Sequence, residues 1–146
     1  MKQASPAIRF LARRLLALEA DGSEQADVKE RAALSAFAKL RLHLTKLIGI
    51  SGFQVLLARA LALAKAEVTW LEPVHVQADA TLEGFSEAAQ RQPADAVAEG
   101  CLALLAELIG LLVVFIGEAL TLRLVQEVWP EARLDDPNSG AEETPA

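Results

Sequence analysis

The sequence predicts an all-α fold, an antiparallel bundle of about four main helices with a short irregular or β-hairpin-like insertion near residues 73–85. Three observations carry this. The chain of 146 residues is 53% hydrophobic but only 5% aromatic, and its dominant residues, Ala and Leu, favour helix. Apolar side chains recur at spacings of three and four through most of its length, the period of a helix with one buried face. Gly and Pro fall between these periodic stretches, at Asp21-Gly22, Gly49 to Gly52, Pro73, Pro93 and Trp129-Pro130, where turns are needed. The length suits one domain with a proper core, placed at residues 1–130.

Ser5 and Pro6 form a helix start, a capping hydroxyl followed by a residue whose missing N–H costs nothing in the first turn. The first helix is predicted over Pro6 to Ala20, ended by Asp21-Gly22, with Ile8, Leu11, Leu15 and Leu18 as its buried stripe. Ser23 caps the second. There Ala33, Phe37, Leu40, Leu44, Leu47 and Ser51 are spaced 4, 3, 4, 3 and 4, an amphipathic seam. "GISG" at 49–52 marks a break, and a third helix runs from about Phe53 to Trp70, stopped by Pro73. In "PVHVQADATLEGF", Val74 and Val76 alternate with His75 and Gln77, so a short strand or hairpin around Asp79-Ala80 and an ordered loop are both open. A brief helix covers Ser86 to Arg91. Pro93 then opens the last long helix, continuing to about Val128. Residues 131–146, acidic and nearly without apolar side chains, read as a disordered tail. "LIGI" and "FIGE" look alike, but their flanks keep no register, so no internal repeat is inferred.

The segment "ELIGLLVVFIGEALTLRL", Glu107 to Leu124, raises the choice between membrane and core. A spanning helix needs about 20 apolar residues, and only ten uncharged residues separate Glu107 from Glu118. A carboxylate at mid-bilayer costs roughly 2.5–3.5 kcal/mol, so the expectation is a central core helix and no transmembrane segment. Arg9, Arg13 and Arg14 interrupt the apolar N-terminal stretch and argue against an export signal. The single cysteine, Cys101, precludes an intrachain disulfide framework and fits a reducing compartment. Cytoplasmic residence is expected.

Gly100, Ala103, Glu107, Gly110, Val114, Gly117 and Thr121 are spaced 3, 4, 3, 4, 3 and 4. On one continuous helix they form a small-residue face that another helix approaches closely. Each helical glycine costs about 1 kcal/mol relative to Ala, so a packing partner should compensate. Glu107 and Glu118, drawn toward an apolar interior, need a cation or a proton. On the preceding helix Arg59 shares a face with Gly52, Val55, Leu56, Leu63 and Ala66. Arg59 is therefore expected to form a buried ion pair with Glu107 or Glu118, fixing helix register more than adding stability.

Net charge is −6 but uneven. Residues 1–50 hold nine Lys/Arg against five Asp/Glu, the remainder five against fifteen. Such a split orients halves of a bundle or offers a basic face to an acidic partner. Lys39, His43 and Lys46 share one helical face as a basic patch. Nucleic acid is not the expected partner, because the total charge is negative and stacking aromatics are absent from the patch. His43 and His75 lack metal-ligand spacing, no phosphate loop, dinucleotide fingerprint or nucleophile elbow occurs, and no cofactor or catalytic residue is assigned. Cys101 reads as a small buried hydrophobe.

The resulting expectation is a non-enzymatic interaction or regulatory module that pairs with a second copy or another helical protein through Gly100, Ala103, Gly110, Val114, Gly117 and Thr121. The alternative is a bundle binding a small apolar ligand, oriented by Arg59 with Glu107 or Glu118. A third reading is peripheral membrane contact through the basic N-terminal helix.

Overall fold

The structure, a computed structural model, describes residues 5–132. Among these, five helices and a two-stranded antiparallel hairpin form an all-α bundle, as the periodicity predicts. Helix α1 spans Pro6–Ala20. Ser5 Oγ accepts a hydrogen bond from the Ile8 amide at 3.2 Å, and Asp21 ends the helix in the left-handed region. Leu11, Ala12, Leu15 and Ala20 are buried, whereas Leu18 is exposed, because the contact face is centred on Ala12 and Leu15.

Helix α2 spans Ala26–Glu67 but is broken at Gly49. Its first turn lacks the expected cap: Ser23 Oγ instead receives the Gln25 amide in the preceding turn. Gly49 adopts φ 83° and ψ 163°, a conformation essentially reserved for glycine. The chain reverses there, as four long-range contacts show. A straight helix of 42 residues would be ~63 Å long. Yet Cys101 Sγ lies 4.0 Å from the Lys29 carbonyl, while the neighbouring Gly100 packs against the Trp70 indole. The opposite ends of α2 thus meet the same turn of a later helix. Nearer Gly49, Arg41 Nε donates to the Asp79 carbonyl at 2.7 Å and Gln54 Nε2 to the Gln77 carbonyl at 3.3 Å, so one loop holds both arms together.

That loop is the insertion. Strands β1, His75–Val76, and β2, Leu82–Glu83, pair antiparallel with His75 opposite Glu83. Asp79 accepts from the Thr81 amide and hydroxyl at 3.2 and 2.6 Å, which fixes the turn with Ala80 at φ 65°. The second arm of α2 stops at Glu67, and a 3₁₀ turn, Thr69–Leu71, precedes Pro73. Helix α3 is Phe85–Ala89.

Helix α4 spans Ala94–Ile116 and supplies the centre of the core, with Ala103 to Leu108 all buried. The expectation of one helix reaching Val128 is corrected. Gly117, at φ 92° and ψ 158°, repeats the backbone conformation of Gly49, and α5 then spans Glu118–Val128. Thr121 secures the break: its amide and hydroxyl both donate to the Gly117 carbonyl, at 3.1 and 2.7 Å. Helix α5 folds back along the bundle, so that Trp129 Nε1 reaches Glu19 Oε2 at 2.7 Å and Arg14 Nη2 reaches the Ala132 carbonyl at 2.7 Å. A 3₁₀ turn, Pro130–Ala132, follows; the rest of the tail expected at 131–146 lies outside the described residues.

Candidate docking surface

The expected small-residue face does not exist as one continuous surface. Gly100, Ala103 and Glu107 point into the chain's own core. Gly117 ends α4 and is exposed, Thr121 belongs to α5 and is buried, and Val114, 83% exposed, faces solvent fully. Gly110 lies half-buried between them. The partner that Gly100 admits is an indole of the same chain: a Cβ there would stand 2.8 Å from Trp70 Cε2. Trp70 is held over this spot by its Nε1 donating to the Ala96 carbonyl at 2.9 Å and by packing beside Phe85, ring centroids 5.8 Å apart.

The expected Arg59 ion pair is likewise corrected. Glu107 is buried and engaged, but Arg59 and Glu118 are both exposed, and neither forms an ion pair among the described residues. The physical reason is rotation of the second arm of α2. It buries Phe53, Leu57, Ala60, Leu61 and Ala64, not the face with Val55 and Arg59. The interhelical node lies elsewhere, at Glu19. Burial alone would raise its pKa, but hydrogen bonds from Lys39, Trp129 and Ser35 outweigh that and hold the carboxyl below its ordinary value. A second bridge, Arg9 to Glu67 at 3.0 Å, ties α1 to the end of α2. Only helical spacing of acids and bases across different elements could have hinted at these two, and spacing does not reveal tertiary neighbours.

The basic patch is partly used inside the molecule. Lys39 Nζ bonds Glu19, and His43 Nδ1 sits 3.0 Å from the Lys39 carbonyl, while Lys46 stays exposed. Among the described residues, clefts of about 400 and 430 Å³ occur, and Arg59 lines neither of them. The first is lined by Arg13, Lys29, Asp95 and Glu99 over Leu16 and Leu102. The second lies between the start of α1 and Ile109, Val113, Glu118 and Leu122. Cys101 is 1% exposed; burial, with the Glu30 carboxylate nearby, pushes its thiol up to about 12, which suppresses the nucleophilic thiolate at neutral pH. Among the described residues, no three His, Cys, Asp or Glu are grouped to hold a metal ion.

Exposed apolar side chains stand beside both glycine breaks, with others at Leu42 and Val55 of α2. Near the start of α4, Cys101 lies against the Lys29 carbonyl and Gly100 against Trp70; the glycine breaks lie further along α2 and α4. Leu47 and Ile50 flank Gly49, and Val114 and Phe115 precede Gly117; they are 50, 38, 83 and 62% exposed. Ser5, Ile8 and Phe10 of α1 border the second cleft together with Val113 and Glu118, beside the Gly117 turn. A Cβ built on Gly49 or Gly117 would meet nothing within 4 Å, so both turns protrude. Residues 47–64 carry one charge, Arg59, yet only 28% of the most apolar 18-residue stretch of α2 is buried, against 56% in α4. By length and composition both helices suffice to cross a bilayer. Comparison with protein-family models, curated proteins and solved structures returns no match to this chain.

Proposed function

We propose that this chain is a non-enzymatic docking module whose working surface is formed by the apolar side chains of the Gly49 and Gly117 turns. The observation that carries the reading is the exposure of Leu47, Ile50, Val114 and Phe115 on two protruding turns. Folding normally hides such side chains, and exposed apolar groups gathered on a turn mark a surface that works by being covered. The remainder of the bundle serves as the frame: the β-hairpin ties the two arms of α2 together, and Thr121 fixes the second turn. Pairing of two copies through the Gly100 to Thr121 face is not adopted, because most of that face is already covered by the chain itself.

Substituting Leu47, Val55 and Val114 together by glutamate tests this. All three are at least half exposed, and substitutions at such positions change stability by only about 0.5 kcal/mol each. The helical circular dichroism is expected to persist while binding of a hydrophobic dye, anilinonaphthalene sulfonate, falls sharply. Equal dye binding by the wild-type and substituted chains would overturn the reading.

A further inference from the structure

We infer that the docking surface meets an anionic lipid bilayer, with the α2 hairpin laid against the headgroups and the two glycine turns dipping into the interface. This rests on the docking reading above and names its partner. Charge singles out that partner. Between Glu30 and Glu67 the chain contains no acidic residue at all, but it contains Arg31, Lys39, Arg41, Lys46, Arg59 and Lys65. Lys46 and Arg59 are exposed and form no ion pair among the described residues. Arg31 is paired with Asp27, Lys39 with Glu19, and Asp79 lies beside Arg41, so the unpaired charge around the Gly49 turn is the cationic pair Lys46 and Arg59, while residues 51–146 carry fifteen of the twenty acids.

Three partners are to be weighed against that surface. A second copy docked through the same patch would set lysine against lysine by symmetry, which costs affinity. An acidic protein supplies the anions, but apolar anchors in protein interfaces sit in fitted pockets, and here they stand on convex turns. An anionic bilayer supplies negative headgroups and an apolar interior together, and it accepts convex apolar tips flanked by Lys and Arg. Of the cations of α1, Arg9 is paired with Glu67 and Arg14 donates to the Ala132 carbonyl, which leaves Arg13 alone exposed and outside any ion pair among the described residues, against Lys46 and Arg59 of α2. The lipid-facing element is α2.

The test is co-sedimentation of the full chain with vesicles of phosphatidylcholine alone or containing about 30 mol % phosphatidylglycerol, at low salt and at about 0.5 M salt. Binding to the anionic vesicles only, lost at high salt, is expected. Lys46→Glu with Arg59→Glu should weaken it by at least about tenfold, and Leu47→Asn with Val114→Asn should weaken it while helical circular dichroism is unchanged. Equal partition onto neutral vesicles, or binding indifferent to the Lys46 and Arg59 changes, overturns the inference. Binding to soluble polyglutamate without pelleting on vesicles assigns the surface to an acidic macromolecule instead. Absence of vesicle binding with dye binding retained overturns the lipid partner alone, whereas absence of both overturns the docking reading itself.

Discussion

Glu19 shows how much one side chain decides. Its carboxylate is 8% exposed and receives Lys39 from α2 and the Trp129 indole beyond α5, so three separate parts of the chain converge on it. Hydrogen bonds to a charged group contribute about 1.5–3 kcal/mol, and Glu19→Gln, which keeps the shape but removes the charge, is expected to cost about that much at neutral pH. The folded carboxyl titrates below its ordinary value of 4.5. Its contribution is therefore complete above that value and disappears as pH falls through the lowered folded value. Urea unfolding of both proteins at pH 7 and pH 3 checks this: the gap between them should shrink at the acidic end, and a gap constant with pH would contradict it. Nothing in the sequence singles out Glu19, which lies at the end of α1 beside unremarkable neighbours. By contrast the Ser5-Pro6 start and the Asp21-Gly22 stop are local, and local chemistry is legible.

At the scale of elements, the same distinction separates what periodicity reveals from what it hides. Of the seam Ala33, Phe37, Leu40, Leu44, Leu47 and Ser51, the first four are buried because the first arm of α2 has one apolar face, whereas Leu47 and Ser51, on either side of the Gly49 break, are exposed. The second arm is apolar all round, so a period of 3.6 cannot choose between Phe53-Leu57-Ala60 and Val55-Arg59; the fold chooses the former, and Arg59 is left outside. "GISG" signalled a break and was legible, whereas the glycine of "FIGE" lay inside a strongly apolar run and read as continuous helix, although Gly49 and Gly117 adopt nearly the same φ and ψ. Those angles can be tested directly. Gly49→Ala meets no steric neighbour, so any effect comes from the backbone, and a non-glycine residue there costs about 1–3 kcal/mol. Gly117→Ala should behave alike. Thermal melts are expected to fall for both, with helical content below the transition retained. Unchanged melting temperatures would mean that the two reversals do not need their positive φ.

For the whole molecule, the distribution of burial sets the distribution of stability. Helix α4 is enclosed by the folded-back arms of α2 and by α1, and Ala103 to Leu108 are shielded throughout. The two glycine turns have few buried contacts and are open. Regions with few buried apolar contacts open at low free energy, whereas a packed core opens only with global unfolding. Hydrogen exchange followed by mass spectrometry should therefore rank peptides covering 101–112 as the slowest and those covering 46–52 and 114–119 as much faster. The ordering has a functional reason. A surface that must meet a partner is served by side chains that the bundle does not already use, and by turns free to adjust without loosening the centre. Uniformly slow exchange across both turns would show instead that they are as rigid as the core, and that their exposed apolar residues belong to a fixed face rather than an adaptable one.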